Sequence, residues 1–339
     1  MIFFRKILFP FAVLYGWITQ FRNFLYDRGI FKSYTFDVPI IAVGNLSVGG
    51  TGKTPQIEYL IRLLSDKYRV ATLSRGYKRQ SKGFILANAT STASQLGDEP
   101  YQFFKKFPNI KVTVDADRKN GIEQLLSLPK KPEVILLDDA FQHRKVKAGF
   151  YILLTSYDDL FCDDFMLPTG NLREGRRGAK RADVVIVTKC PETISQQDQE
   201  RIMRKIGIDK PIFFSSIAYE DSVYSLGNSL KVSEIKTLTK LLLAGIAKPK
   251  SFFAYLQNEN DIVMKFSDHH HFSEDDIVNI KKKAKNNLII TTEKDFVRLN
   301  TSISKEQLFY LPIKTFFVFG GNDFDKTILN YVGKSTRNS

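Results

Sequence analysis

The feature that most restricts the fold of this chain is a glycine-rich loop between an apolar run and a helical pattern. Pro39–Val43, with the sequence PIIAV, indicates a buried strand, and residues 54–64 have helical periodicity. The intervening loop Ser47–Thr54, SVGGTGKT, matches the Walker A spacing G-x-x-x-x-G-K-[ST], with serine at the first glycine. Strand, loop and helix together predict a nucleoside-triphosphate site. A structural glycine turn is the alternative.

Each residue type in this loop has a use in binding phosphate. Glycines let the backbone curl so that several N–H groups point at phosphate oxygens, and the helix N-terminus adds positive potential. Lys53 would reach the β- and γ-phosphates, and Thr54 would hold Mg²⁺. The predicted nucleotide-binding residues are Ser47, Val48, Gly49, Gly50, Thr51, Gly52, Lys53 and Thr54.

A site of this kind also needs an acidic residue at the end of another strand. The apolar run Val134–Leu137 predicts a buried strand, and Asp138 and Asp139 follow it directly. Ligands bind at the carboxyl ends of the strands in doubly wound sheets, so one of these carboxylates should hold Mg²⁺ through water. The alternative is a strand end with two solvated acids.

Strand-like and helical segments alternate along most of the chain. This alternation predicts parallel βαβ units, and therefore a P-loop NTPase-like α/β fold with a doubly wound, mostly parallel sheet over residues 29–215. We expect a second, smaller α/β domain over residues 216–332 and a disordered tail over 333–339. Buried strands of the first domain are predicted at Pro39–Val43, Val70–Leu73, Val112–Val114, Val134–Leu137, Tyr151–Leu154, Val184–Thr188 and Ile212–Ser215.

Composition excludes several classes of protein. The proportions of apolar residues, 43%, and of charged residues, 25%, exclude a disordered, collagen-like or polytopic membrane chain. Two cysteines are too few for a disulfide-built fold or a cysteine-rich zinc site. The net charge of +14 favours an anionic partner, which is a nucleic acid, a phosphorylated substrate or an acidic membrane surface, although solubility alone also explains it.

The N-terminal segment, residues 1–28, differs from the rest of the chain. Ile7–Ile18 is almost wholly apolar and follows Arg5 and Lys6, but it is shorter than the about 20 residues that cross a bilayer. No small-x-small cleavage site follows Trp17. We interpret the segment as a membrane-associated helix that lies on or dips into one leaflet. The alternatives are a helix packed on the protein's own core and a single span of a thinned bilayer.

Two polar clusters outside the loop are candidates for catalysis. Asp98 lies in the turn Gly97–Pro100, whose acids either cap the following helix or project over the nucleotide. Three consecutive histidines, 269–271, follow Asp268. Adjacent side chains point in different directions and rarely share a metal ion, so a catalytic imidazole is the favoured interpretation. A loop with solvated histidines is the alternative.

These motifs together resemble the tetraacyldisaccharide 4′-kinase family, the inner-membrane lipid A kinases of Gram-negative bacteria. The resemblance covers nearly the whole chain, and serine at the first Walker position is the form found in that family. The matching stretches are residues 43–55, 74–77, 97–100, 115–118, 137–144, 167–174, 187–189, 268–270 and 292–295.

The resemblance implies transfer of the γ-phosphate of ATP, with Mg²⁺, to the 4′-hydroxyl of tetraacyldisaccharide 1-phosphate, which forms lipid IVA. It places Asp98 at the catalytic centre beside Lys53, with His269 as its partner and His270 as the alternative. The residues that match the metal site are Thr54, Asp138 and Asp139, and those that match the substrate and phosphate region are Tyr77, Arg118, Arg173 and Glu174.

The resemblance also implies a peripheral or monotopic protein on the cytoplasmic face of the inner membrane. We expect a membrane lipid as partner, and neither a nucleic acid nor an obligate protein partner. Two other functions are compatible with the residues alone: a soluble P-loop kinase of another sugar or small molecule, and a nucleotide switch without a small substrate. Such switches often carry an extra lysine early in the loop, where this chain has Ser47 and Val48.

Overall fold

The computed structural model describes residues 5, 7–268 and 270–337 of the chain, and its strands form two sheets. The larger sheet has nine strands in the order β15-β8-β7-β6-β1-β5-β2-β4-β3, and the smaller has six in the order β10-β9-β14-β13-β11-β12. The strands are β1 Ile40–Asn45, β2 Val70–Ser74, β3 Ile85–Leu86, β4 Lys111–Val114, β5 Val134–Asp138, β6 Phe150–Ser156, β7 Val184–Thr188, β8 Ile212–Tyr219, β9 Ser222–Tyr224, β10 Ser229–Lys231, β11 Lys240–Ala244, β12 Ile262–Lys265, β13 Leu288–Thr292, β14 Leu308–Leu311 and β15 Ile313–Phe319.

Helices cover both faces of the larger sheet, which is parallel except at its two edge pairs, β15–β8 and β3–β4. On one face, Ile41 and Val43 pack with α2, α4 and α11, and on the other Ile40 and Ala42 pack with α5. The helices are α1 Phe9–Asp27, α2 Lys53–Leu64, α3 Ala93–Leu96, α4 Asp98–Lys106, α5 Arg118–Leu126, α6 Gln196–Ile206, α7 Val232–Ile235, α8 Lys250–Leu256, α9 Glu274–Ala284, α10 Glu293–Leu299 and α11 Gly321–Arg337, with a 3₁₀ helix at Arg176–Arg181.

This arrangement places the glycine-rich loop at the centre of the sheet. β1 lies between β5 and β6, and both pairings are parallel, with Val43 opposite Asp138 and Asn45 opposite Leu154. The loop after β1 and the acids after β5 therefore emerge at the same carboxyl edge. The predicted α/β architecture of this part of the chain is confirmed, and the site lies where doubly wound sheets bind ligands.

The predicted end of the smaller domain at residue 332 is wrong. β15 is an edge strand of the larger sheet, where it pairs antiparallel with β8, and Ile313 lies opposite Tyr219. α11 then buries Phe324 and Ile328 in the core of the same sheet. The sequence pattern placed β15 with the smaller domain because it follows that domain along the chain. Its partner strand lies far upstream, and no local pattern reveals such a pairing.

The tail prediction also needs correction. α11 continues to Arg337, so the chain is helical past Gly333, where we expected disorder. Residues 338 and 339 lie outside the described part of the chain.

Helix α1 packs on the larger domain along one narrow side. Ala12 and Gly16 are buried there. The hydroxyl of Tyr15 donates to the carbonyl oxygen of Arg173 at 3.1 Å, and Asn23 Nδ2 donates to Glu174 Oε1 at 2.7 Å. Over residues 5, 7–268 and 270–337, we find no helix with the length and hydropathy that a transmembrane span requires. The exposed apolar side chains of α1 are Phe9, Phe11, Val13, Leu14, Trp17, Ile18, Phe21 and Phe24.

Candidate active site

The glycine-rich loop is held in a curled conformation between β1 and α2. Gly49 and Gly52 have φ angles of +114° and +86°, which side-chain-bearing residues rarely adopt. Gly52 is the residue that caps α2. The N–H of Val48 donates to the carbonyl oxygen of Asn171 at 2.8 Å, so a neighbouring segment supports the loop from outside.

Lys53 points toward the acids at the end of β5. Its ammonium donates to Asn45 Oδ1 at 3.2 Å and lies 3.7 Å from Asp139 Oδ1. Thr54, on the first turn of α2, is buried beside it. The structure thus brings together the loop, its lysine and the acid pair, as the sequence predicted.

Asp139 is held by a bidentate ion pair with Arg173. Its φ angle is +45°, and Arg173 donates to both carboxylate oxygens, at 2.7 and 2.9 Å. Burial alone would raise the pKa of Asp139, but the hydrogen bonds from Arg173 and the charge of Lys53 lower it to about 2. Asp139 is therefore ionised at neutral pH.

The pKa of Asp138 is shifted in the opposite direction from that of Asp139. Burial, reinforced by the negative charges of Glu99 and Asp139, raises the pKa of Asp138 to about 7. Its Oδ2 lies 3.4 Å from the hydroxyl of Ser74, while its Oδ1 is buried and has no hydrogen-bond partner among the described residues. Such a carboxylate atom is available to a cation.

Asp138 should make the stability of the ligand-free protein depend on pH. The pKa of Asp138 is higher in the folded than in the unfolded chain. Stability should therefore fall by up to about 1.4 kcal/mol per pH unit as the pH rises from about 4 to about 7. We expect Asp138→Asn to raise the melting temperature in chelator at pH 8 and to change it little at pH 4. An equal shift at both pH values would contradict this assignment.

Arg118 lies beneath the acid pair rather than at the surface of the site. Its side chain is 3% exposed, and Nη2 donates to the carbonyl oxygens of Asp138 at 2.6 Å and Asp139 at 2.9 Å. These contacts fix the backbone that presents the two carboxylates.

A second set of charged groups faces the loop from the start of α4. Asp98 and Glu99 form the first turn of this helix rather than a separate turn before it. Glu99 Oε1 accepts a hydrogen bond from Lys294 at 2.9 Å, and Arg298 donates to Asp98 Oδ2 through Nε at 3.1 Å and also through Nη2. Lys294 and Arg298 both lie on α10, so the two ion pairs join the larger domain to the smaller one.

Glu99 connects this second set to the phosphate loop. Burial alone would raise the pKa of Glu99, but Lys294 and then Lys53 lower it, while Asp139 opposes them. The carboxylate of Glu99 therefore lies within electrostatic range of both Lys53 and Asp139. Sequence analysis missed Lys294 and Arg298, although the matched stretch 292–295 contains the first and ends one helical turn before the second.

The histidine cluster differs from expectation. His270 Nε2 lies 3.0 Å from Asp276 Oδ2, and its ring centroid lies 4.8 Å from that of Phe266. The carbonyl oxygen of His270 accepts a hydrogen bond from Arg298 at 3.2 Å, and Arg298 also donates to Asp98. The side chain of His270 thus pairs with Asp276 rather than with Asp98, the partner we considered for it. His269, the first choice, lies outside the described residues.

Two other predicted substrate residues differ in their exposure. Tyr77 is 70% exposed in the loop after β2. Glu174 is 2% exposed, and its carboxylate accepts from Arg181 at 2.8 Å and from Asn23 of α1 at 2.7 Å. The contacts of Glu174 therefore attach α1 to the larger domain.

Comparison with known proteins finds similarity along nearly the whole chain. Residues 4–333 match the family described as LpxK, tetraacyldisaccharide-1-P 4′-kinase. The tetraacyldisaccharide 4′-kinase of Flavobacterium psychrophilum is 66% identical and covers 100% of both chains. That of Bacteroides thetaiotaomicron is 46% identical, over 99% of this chain and 95% of the relative. A crystal structure of LpxK from Aquifex aeolicus in complex with ATP matches with a TM-score of 0.79 and 34% identity, over 97% of this chain and 99% of the other.

Proposed function

This chain belongs to the tetraacyldisaccharide 4′-kinase family, and we propose that it transfers the γ-phosphate of ATP to the 4′-hydroxyl of tetraacyldisaccharide 1-phosphate. The observation that carries the proposal is a phosphate loop in a chain that matches this family over residues 4–333. Support also comes from the ion pairs of Lys294 with Glu99 and of Arg298 with Asp98, which join the two domains, since Glu99 lies within electrostatic range of Lys53 in the loop.

The loop would bind ATP through its backbone and Lys53. N–H groups of the curled loop and the N-terminus of α2 face the phosphates, and the Lys53 ammonium neutralises the β- and γ-phosphates. Arg118 and Arg173 would act as positioning residues, because they hold the backbone and the carboxylate of Asp139 in place.

The residues also fit Mg²⁺. Thr54 offers a hydroxyl on the first turn of α2, and the buried Asp138 Oδ1 has no partner among the described residues. Mg²⁺ usually takes few ligands from a protein and keeps phosphate oxygens and waters. Bound Mg²⁺ would neutralise the charge on the β- and γ-phosphate oxygens during transfer.

Asp98 would accept the proton of the attacking hydroxyl. A sugar hydroxyl is a weak nucleophile, and a carboxylate within hydrogen-bond reach can take its proton as transfer proceeds. Arg298 orients this carboxylate in the structure. The sequence position of His269 next to His270, whose carbonyl contacts Arg298, supports a role for His269 beside Asp98.

Helix α1 would place this site at the inner membrane. Its outer side exposes a run of large apolar side chains, among them Phe11, Leu14, Trp17 and Phe21. Aromatic and aliphatic groups of this kind partition into the interfacial region of a bilayer, while basic residues attract anionic lipids. Because the acyl chains of the substrate stay in the bilayer and ATP is cytoplasmic, we propose a peripheral or monotopic enzyme on the cytoplasmic face.

The membrane role of α1 predicts a specific loss of binding. Replacing Phe11 and Trp17 together by serine should weaken binding to anionic vesicles by about 100-fold or more, because each buried aromatic contributes about 1.5–3 kcal/mol. Cosedimentation measures this affinity. Val278→Ser is the matched control, because Val278 on α9 is 64% exposed and Trp17 is 69% exposed. Equal binding by the double variant and the control would contradict the role of α1.

A comparison of acceptors tests the proposed substrate. We expect ATP turnover to require tetraacyldisaccharide 1-phosphate in mixed micelles, and to be far slower with the same disaccharide 1-phosphate after removal of its acyl chains. Equal turnover of the two acceptors would favour a soluble sugar kinase. ATP hydrolysis that is independent of either acceptor would favour a nucleotide switch.

A further inference from the structure

Lys189 lies directly behind the phosphate loop, in the matched stretch 187–189 to which the reaction above gives no role. It follows β7 at the carboxyl edge of the larger sheet, and its φ angle of +58° lies in the left-handed region that side-chain-bearing residues disfavour. Its ammonium donates to the carbonyl oxygen of Gly50. A strained residue at a ligand-binding edge is a candidate for function.

Thr188 makes the equivalent contact with the next peptide of the loop. Its hydroxyl lies 2.8 Å from the carbonyl oxygen of Thr51 and 3.2 Å from that of Thr155, so the loop carbonyl is the nearer acceptor. Two consecutive side chains at the end of β7 therefore hold two consecutive carbonyls of the phosphate loop.

Because the peptide bond is planar, a contact that fixes a carbonyl group also fixes the direction of the N–H group in the same peptide. In a trans peptide the carbonyl and the following N–H point in opposite directions. Lys189 holds the carbonyl of Gly50, so the N–H of Thr51 points away from Lys189. Thr188 holds the carbonyl of Thr51, so the N–H of Gly52 points away from Thr188. In this structure the N–H of Thr51 donates to the carbonyl oxygen of Gly49 at 3.1 Å, so it points into the loop.

We infer that Thr188 and Lys189 are positioning residues that aim two backbone donors of the loop at the phosphates of the nucleotide. The charge of Lys189 adds to this effect, since the residue forms no ion pair with a carboxylate among the described residues and its ammonium stays beside the loop. Burial, and then the charge of Lys248, lower the pKa of Lys189, while the charge of Asp158 opposes them. The inference rests on the proposed nucleotide site.

Nucleotide binding by point variants tests this role. Lys189→Met keeps the length of the side chain but removes the donor and the charge, and it should weaken binding of both ATP and ADP by about 10- to 100-fold. Both nucleotides should be affected, because backbone N–H groups of such loops hold the α- and β-phosphates that they share. KM for ATP should rise more than kcat falls. Lys189→Arg, which retains a cationic donor, should recover part of the affinity.

Control variants distinguish loss of the contact with the loop from a general loss of positive charge and from unfolding. Lys248→Met removes a nearby charge on an exposed residue that has no bond to the loop, and it should leave affinity almost unchanged. Thr188→Val, which keeps the shape and removes the hydroxyl, should weaken binding in the same direction. The melting temperature without nucleotide shows whether each variant is folded.

The outcomes distinguish this inference from the proposed function. Wild-type affinity in folded Lys189→Met, or an equal loss in Lys248→Met, would overturn the positioning role while leaving the nucleotide site intact. Wild-type nucleotide affinity in Lys53→Ala would instead contradict the nucleotide site itself. A loss in Lys189→Met and Thr188→Val with partial recovery in Lys189→Arg is the result we expect.

Discussion

Asp98→Asn should slow phosphoryl transfer by about 10²–10⁴-fold while changing ATP affinity little, because asparagine cannot accept the proton of the attacking hydroxyl. This substitution should leave the surrounding structure unchanged. Arg298 can still donate to the remaining side-chain oxygen, so α4 and α10 should stay in place. Single-turnover rates are the appropriate measurement, since slow product release from a membrane would conceal the chemical step.

The histidine variants complete this test. If Asp98 and His269 act as a unit, the double variant Asp98→Asn with His269→Ala should be barely slower than the slower single variant. Multiplicative losses would indicate independent roles. His270→Ala should act mainly through stability, because the His270 ring packs on Phe266 and pairs with Asp276. A full-rate Asp98→Asn enzyme would exclude Asp98 as the base.

Lys53→Ala should lower kcat by about 10²-fold or more, because it removes the charge that neutralises the β- and γ-phosphates in the transition state. The fold should survive, since the Lys53 side chain points into the site and contacts two polar groups of that site, Asn45 and Asp139. Lys67→Ala, at an exposed position after α2, is a matched control for loss of a lysine. Near-normal turnover in folded Lys53→Ala would contradict the assignment of the loop.

Local patterns predicted the nucleotide half of the site well. The fixed spacing of glycines, lysine and threonine in a Walker A loop predicts the conformation of that loop. The strand Val134–Asp138 is predicted by an apolar run that ends in acidic residues. Parallel strands share a carboxyl edge, so the convergence of Lys53 and Asp139 followed from sequence alone.

The other half of the site depends on tertiary structure that no local pattern encodes. Lys294 and Arg298 reach Glu99 and Asp98 only because α10 of the smaller domain packs against α4 of the larger one. The same holds for β15, whose partner strand β8 precedes the whole smaller domain.

The sequence of helix α1 is compatible with a membrane anchor and with a helix packed on the protein's own core, and the structure bears on the second. One narrow side does pack, through Ala12, Gly16 and the bond from Asn23 to Glu174, while the other side is apolar and exposed. The hydrophobic run gave no indication of which side would pack, because apolar residues occur on both.

The position of the new phosphate on the product tests the central claim most directly. The enzyme, Mg²⁺, γ-labelled ATP and tetraacyldisaccharide 1-phosphate would be incubated in mixed micelles, with Lys53→Ala as the inactive control, and the lipid product would be isolated and examined by phosphorus NMR. The account predicts a labelled lipid with two phosphate monoesters, one at the original 1-position and the labelled one at the 4′-position. Label that appears only as inorganic phosphate, or at any other hydroxyl of the disaccharide, would contradict it.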